Sequence, residues 1–268
     1  MISGILFLPF LYKFVCHTLF MEIDNNEPIT QSFSLAPFEY HTKVRDHFKS
    51  RSKTWTWFAG DELKEKQIED LKSSLLKNTY RLDKDTHQNL YTIAAEVCKV
   101  LGLDAEVTLY QEHNSVQLNA GISSIGKEAH IVLSGNLISL LSEDEMKALL
   151  AHELSHYLYN KLENEDFEIT QRIILALAND ARSEDNVIET ARIFQLYLEL
   201  FCDAGALAVC GDYKVVIQTL VKLNTGLTAV NADSYLKQAN EIITANIDAT
   251  NRISHPESYI RSIALQLR

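Results

Sequence analysis

The stretch Ala151-His152-Glu153-Leu154-Ser155-His156-Tyr157 sets two imidazoles four residues apart, with a carboxylate beside the first. Residues four apart on a helix share one face. His152 and His156 would therefore project together about one turn apart, near enough to share a metal ion. Imidazole nitrogens suit zinc, and a catalytic zinc site takes three protein ligands while its fourth position stays open. Glu153 would stand beside that open position, where a carboxylate can take a proton from an attacking water. The bland reading is a surface helix carrying two solvated histidines. In a chain with nine histidines the motif alone does not decide between them.

A third ligand tips the balance. Glu199-Leu200-Phe201-Cys202-Asp203 puts two carboxylates one helical turn apart, inside a segment made apolar by Ile193, Phe194, Leu196, Leu198 and Leu207. Carboxylates are costly to bury without a partner. A zinc ion would partner Glu199, and Asp203 would accept the free ring N–H of a liganding histidine and so fix its tautomer. The bland alternative, two acids on a solvated helix edge, leaves the histidine pair one ligand short. The expected metal ligands are His152, His156 and Glu199, one zinc per chain, with Asp203 behind them.

These groups act together only if the surrounding elements hold them. Ser142 and Glu145 form an S-x-x-E capping box. Met146, Leu149, Leu150 and Leu154 continue an apolar face, and no Gly or Pro interrupts residues 143–160, so the motif falls on a helix. Upstream, the spacing predicts a helix over 85–101. Asp85 and Gln88 are its capping box, Leu90, Ile93, Ala94, Val97 and Leu101 its stripe, and Gly102 its end. The period then changes to two: 106–111, 116–119 and 130–134 read as strands, with 121–126 a turn or loop. Downstream, 166–179 carries an apolar run, 179–188 is polar and exposed, and a helix over about 187–210 bears Glu199 and Asp203. A small sheet directly before the motif helix offers an edge that can hold an extended peptide by strand addition.

The 268 residues suffice for one large domain, and 46% hydrophobic with 23% charged residues is ordinary for a globular protein. A net charge of −11 argues against nucleic acid as a partner. The four cysteines show no paired spacing, which points to a reducing compartment and a cytoplasmic location. Residues 4–12 are apolar but far short of the ~20 residues needed to span a bilayer. They read as an export signal, an anchor, or an extension ahead of a start at Met21, the last being preferred. From Phe38 to Phe58 aromatic and basic residues mix (Tyr40, Lys43, Arg45, Lys49, Trp55, Trp57). A membrane or nucleic-acid contact is the sharper reading of that stretch. A helix packing its aromatic side on the main domain is the stronger one in an acidic chain. Residues 61–77 read as an amphipathic helix through Leu63, Ile68, Leu71 and Leu75.

H-E-x-x-H followed by E-x-x-x-D on a later helix resembles the gluzincin metallopeptidases. More narrowly, the chain resembles peptidase family M48, which includes CAAX prenyl endopeptidases and a heat-shock protease. Leu118-Asn119-Ala120-Gly121 is similar to that family's asparagine-alanine segment on the strand before the active site. Ile131–Leu133, Leu140–Glu145 and Leu150–Glu153 are similar to its strand and to the start of its zinc helix. Ser254-His255-Pro256, with Arg261 five residues past the proline, resembles its C-terminal His-Pro…Arg signature. The likeness covers about 85–268. It implies zinc on His152, His156 and Glu199, Glu153 as general base, Asp203 behind the ligands, and Asn119 and Ala120 against the substrate. It also places His255 and Arg261 near the active site as groups that could hold an oxyanion, although His255 reads equally well as a helix-start residue. Many relatives carry membrane-spanning helices, and no segment here reads as an adequate one, so prenyl-protein activity does not follow.

The expected fold is α+β and mostly helical: a zincin-like metallopeptidase domain over 81–268 with a three- or four-stranded sheet on the motif helix. A helical region over 31–80 precedes it, and residues 1–30 form a leader. The expected function is a zinc-dependent endopeptidase acting on unfolded or flexible protein segments. The alternative is a zinc-binding but proteolytically silent protein that binds clients or partners. The expected partners are proteins or peptides, with peripheral membrane contact left open and no oligomeric state indicated.

Overall fold

The computed structural model describes residues 35–245 and 258–268. The apolar stretch 4–12 and His255 lie outside the described residues. Three helices come first: α1 (Glu39–Lys49), α2 (Ser52–Ala59) and α3 (Asp61–Asn78). Strand β1 (Thr79–Arg81), helix α4 (Gln88–Leu101) and strands β2 (Glu106–Glu112), β3 (Asn119–Ile125) and β4 (Glu128–Ser134) follow. A one-turn α5 (Leu137–Leu140) leads into α6 (Glu143–Lys161). Then come α7 (Asp166–Ala178), α8 (Asp185–Cys210), α9 (Tyr213–Thr225), α10 (Ala232–Thr244) and α11 (Ser258–Gln266). The fold is α+β and mostly helical, as the sequence predicts.

The sheet runs in the order β1-β2-β4-β3, so β3 is an edge. β2 and β4 are parallel, and the other pairs are antiparallel. One apolar cluster joins α4, the sheet and the first turns of α6 to α9–α11, with Leu109, Ile131, Leu133 and Leu150 at its centre. A second joins α1, α7 and α8 to the end of α6 around Tyr159, Phe167 and Phe194. α6 thus bridges both, which fixes the motif helix from two sides.

Its start is fixed locally as well. Ser142 Oγ accepts the Glu145 N–H (3.3 Å), and the Glu145 carboxylate accepts the Ser142 N–H (2.8 Å), the reciprocal cap predicted from sequence. The same carboxylate pairs with Lys222 on α9 at 2.8 Å, both side chains being buried. α4 begins differently from expectation: Gln88 is its first residue, and the turn before it is closed by Asp83, which accepts from Thr86, rather than by Asp85.

The largest correction concerns 121–126. These residues form most of β3, and a two-residue turn at Gly126-Lys127 returns the chain into β4 with Ile125 opposite Glu128. Gly126 sits at φ +58°, which favours glycine there. Gly121 and the two serines weaken the local strand signal, but pairing with the buried β4 overrides propensity.

Phe38, His41, Arg45 and Phe48 are buried against α7 and α8, so the start of the basic-aromatic stretch packs on the main domain. α2 buries no residue and leaves Trp57 exposed. Against the expectation that no segment has the character of a membrane span, α8 is long and apolar enough by length and composition. Yet its apolar stretch is mostly buried inside the domain, as befits a helix enclosed by α1, α6, α7, α9 and α11.

Candidate metal centre

α6 and α8 pack in close contact where Ser155 meets Gly205. A Cβ on Gly205 would lie 1.9 Å from Ser155 Oγ and 2.9 Å from Ser155 Cβ, so only glycine lets the two backbones come this near. On either side of that contact, His152 and His156 from α6 face Glu199 and Asp203 from α8.

The donor atoms converge. His152 Nε2 and His156 Nε2 are 3.3 Å apart. Glu199 Oε2 lies 3.4 Å from His152 Nε2, and Glu199 Oε1 lies 3.7 Å from His156 Nε2. A tetrahedral ion with bonds of ~2.0–2.1 Å to N and O requires its ligands to stand roughly 3.3 Å apart. The three side chains therefore fit one metal ion with little movement. The tautomer is set as well. Asp203 Oδ1 can only accept, so His152 Nδ1–H donates to it (3.0 Å), which leaves Nε2 as the nitrogen that would ligate an ion on losing its proton.

Arg261 closes the back of the cluster. Its Nε and Nη2 donate to the two oxygens of Asp203 (2.7 and 2.6 Å), and its Nη1 pairs with Glu199 Oε2 at 2.8 Å. Each guanidinium nitrogen thus has a carboxylate partner. Arg261 faces the carboxylates of α8. Burial opposes charge on the three acids of the site. For Glu199 and Asp203 the Arg261 and His152 charges outweigh it and hold both carboxyls below the usual range. For Glu153 burial prevails and pushes the carboxyl up to about 7. Burial likewise opposes charge on His152, but Asp203 and Glu199 overcome it and raise its pKa to about 10, whereas burial lowers His156 to about 4.

Cys202 is the residue that sequence reasoning passed over. Its Sγ lies within 4.8 Å of a ring nitrogen of each histidine. Burial raises the thiol well above its usual range, so it stays protonated and is a poorer ligand than the Glu199 carboxylate. The signal was present in the spacing, because Glu199, Cys202 and Asp203 stand at i, i+3 and i+4 on one face.

A cleft of about 710 Å³ opens over these groups. Asn119 and Ala120 line it from edge strand β3, together with His152, Glu153, His156, Glu199, Asp203 and Arg261. Its far wall is α9, through Val216, Thr219, Leu220 and Leu223, which carried no chemical signal in the sequence. None of the described residues of 35–80 lines it.

A histidine pair on one helix, a glutamate from a later helix and a carboxylate beside an open cleft make the arrangement of a metallopeptidase. The chain belongs to peptidase family M48, whose profile matches residues 84–266. It is 28% identical over 213 residues to the plastoglobule-localized metallopeptidase 48, chloroplastic, of Arabidopsis thaliana. That alignment covers 73% of this chain and 59% of the relative, so the chain spans less than two thirds of the relative's length. No solved structure matches the chain.

Proposed function

We propose that the protein is a zinc-dependent endopeptidase that hydrolyses peptide bonds in unfolded or flexible segments. The observation that carries this reading is the approach of His152 Nε2 and His156 Nε2 to 3.3 Å, with one Glu199 oxygen 3.4 Å from the first and the other 3.7 Å from the second, and Glu153 beside them on the cleft. His152, His156 and Glu199 would hold the ion. Zinc, when bound, polarises a carbonyl and makes water a usable nucleophile near neutral pH.

The chain's own residues do the rest. Glu153 takes the proton of the attacking water and delivers it to the leaving amine. A carboxyl raised to about 7 suits both directions of that transfer. Asp203 holds His152 in one tautomer, and Arg261 orients Asp203 and Glu199 while compensating their charge. The edge of β3, at Asn119 and Ala120, offers backbone groups to an extended segment, a mode of binding that needs the substrate unfolded locally.

The test is metal content together with proteolysis of a reduced, carboxymethylated protein. Wild type is expected to carry near one zinc per chain and to cut. Glu199→Ala loses the metal, and Glu153→Ala keeps it without cutting. A fully active Glu153→Ala protein would sink the assignment.

A further inference from the structure

The cleft is built almost without charge. Outside the cluster of His152, Glu153, His156, Glu199, Asp203 and Arg261, none of the described residues lining it is ionised, although the chain holds 25 Lys and Arg and 36 Asp and Glu. The wall opposite β3 presents Val216, Leu220 and Leu223, successive residues of one face of α9. Its polar groups, such as Asn160, Gln171 and Asn224, are neutral and can bond peptide amides without selecting a charge.

The lips repeat the pattern. Val116, just before β3, is 93% exposed, and Leu227, one residue past the cleft-lining Gly226, is 55% exposed. Bare aliphatic side chains beside the cleft mark a surface that apolar groups cover when they bind. A lysine or aspartate drawn between β3 and α9 would lose its water and meet no counter-charge, a cost that an aliphatic side chain does not incur.

We propose that the cleft selects uncharged, aliphatic-rich peptide segments, seating an aliphatic side chain next to the bond over Glu153 against Val216, Leu220 and Leu223. Cleavage of such segments rests on the peptidase reading given above; their preferential binding does not.

The experiment uses zinc-loaded full-length Glu153→Gln protein and fluorescein-labelled, unstructured octapeptides of Gly, Ala, Val and Leu. In two matched peptides a central Leu is replaced by Asp or by Lys. By fluorescence polarisation the aliphatic peptide is expected to bind at least tenfold tighter than either charged version. Adding Leu223→Lys should remove that preference and favour the Asp peptide. Val116→Lys, at a fully solvated position that cannot disturb the core, should shift the preference in the same direction by about threefold. Mass spectrometry of wild-type digests reads the cut itself. Cuts beside aliphatic residues support both proposals. Selective binding without any cut leaves the cleft preference standing and removes the peptidase reading. Equal or tighter binding of a charged peptide, or no binding of any of the three, overturns the proposal.

Discussion

Arg261, on the last helix of the fold, donates to both oxygens of Asp203 on α8 through Nε (2.7 Å) and Nη2 (2.6 Å). Its remaining nitrogen reaches Glu199 at 2.8 Å, so one planar fork fixes two carboxylates one helical turn apart. The C-terminal helix is thereby tied to the candidate metal ligands. The arrangement also explains how two acids tolerate burial in an apolar helix. Each would otherwise be an unpartnered charge in the core.

Arg261→Met is expected to weaken zinc binding by about 10–100-fold, the usual cost of losing a partner that orients a metal ligand. Leaving Asp203 and Glu199 uncompensated should also lower stability by ~3–5 kcal/mol. Arg261→Lys restores the charge but not the fork and should fall between the two. Competition against a chromogenic chelator measures the affinity. Wild-type affinity in the Met variant would show that the guanidinium is not what holds Glu199 in place.

Gly205→Ala should displace α6 from α8, because the new methyl would sit 2.9 Å from Ser155 Cβ and closer still to its hydroxyl. A loss of about 1–3 kcal/mol by urea unfolding, typical of overpacking, is expected with weaker zinc binding. Ser155→Gly removes the two nearest opposing atoms and leaves Leu35 Cδ1 at 3.1 Å, the end of a flexible side chain that can shift, so the double variant should recover metal affinity while keeping the ~1 kcal/mol cost of glycine in a helix. A single variant that binds zinc like wild type would mean that the helix contact does not set the site.

Zinc removal gives a third test. Because three ligands come from two helices in the same core, the ion should bind the native state and not the unfolded one. Stripping it with a chelator would then lower stability by about 4 kcal/mol at a free concentration near 1,000 Kd. The shift should vanish in Glu199→Ala. An equal thermal shift in both proteins would place the responsive ion elsewhere.

Much of this site was legible in the sequence because each piece carries a local signature. The cap at Ser142 and Glu145, the four-residue spacing of His152 and His156, and the spacing of Glu199 and Asp203 need only helical periodicity. Strand β3 was legible only at its start, Asn119, and not over 121–125. Its Gly121 and serines describe a loop until β4 pairs with it, and that pairing is tertiary. The partners of Arg261 were illegible for the same reason: nothing local says that a guanidinium 58 residues downstream will take up Asp203 rather than face substrate. The α9 wall had only the periodicity of a core helix, since apolar side chains that line a cleft and those that fill a core repeat alike.

His41 supplies a pH test separate from the metal site. Its ring is fully buried against Phe194 and Tyr159, and Nε2–H donates to the Phe194 carbonyl at 3.1 Å. Nδ1 then has no partner in the core, so a second proton would be buried without an acceptor. Burial accordingly lowers the His41 pKa from 6.5 to about 4. Between those values the unfolded chain binds more protons than the folded one, so stability is full above about pH 6.5 and declines as the pH falls toward 4. The loss between pH 7 and pH 5 should come to about 2 kcal/mol. His41→Gln keeps a donor for Phe194 but cannot titrate, so its stability should fall less over the same interval, and the difference between the two proteins cancels whatever the zinc cluster contributes. Parallel urea denaturation at the two pH values decides: equal slopes would mean that His41 is not held neutral by burial.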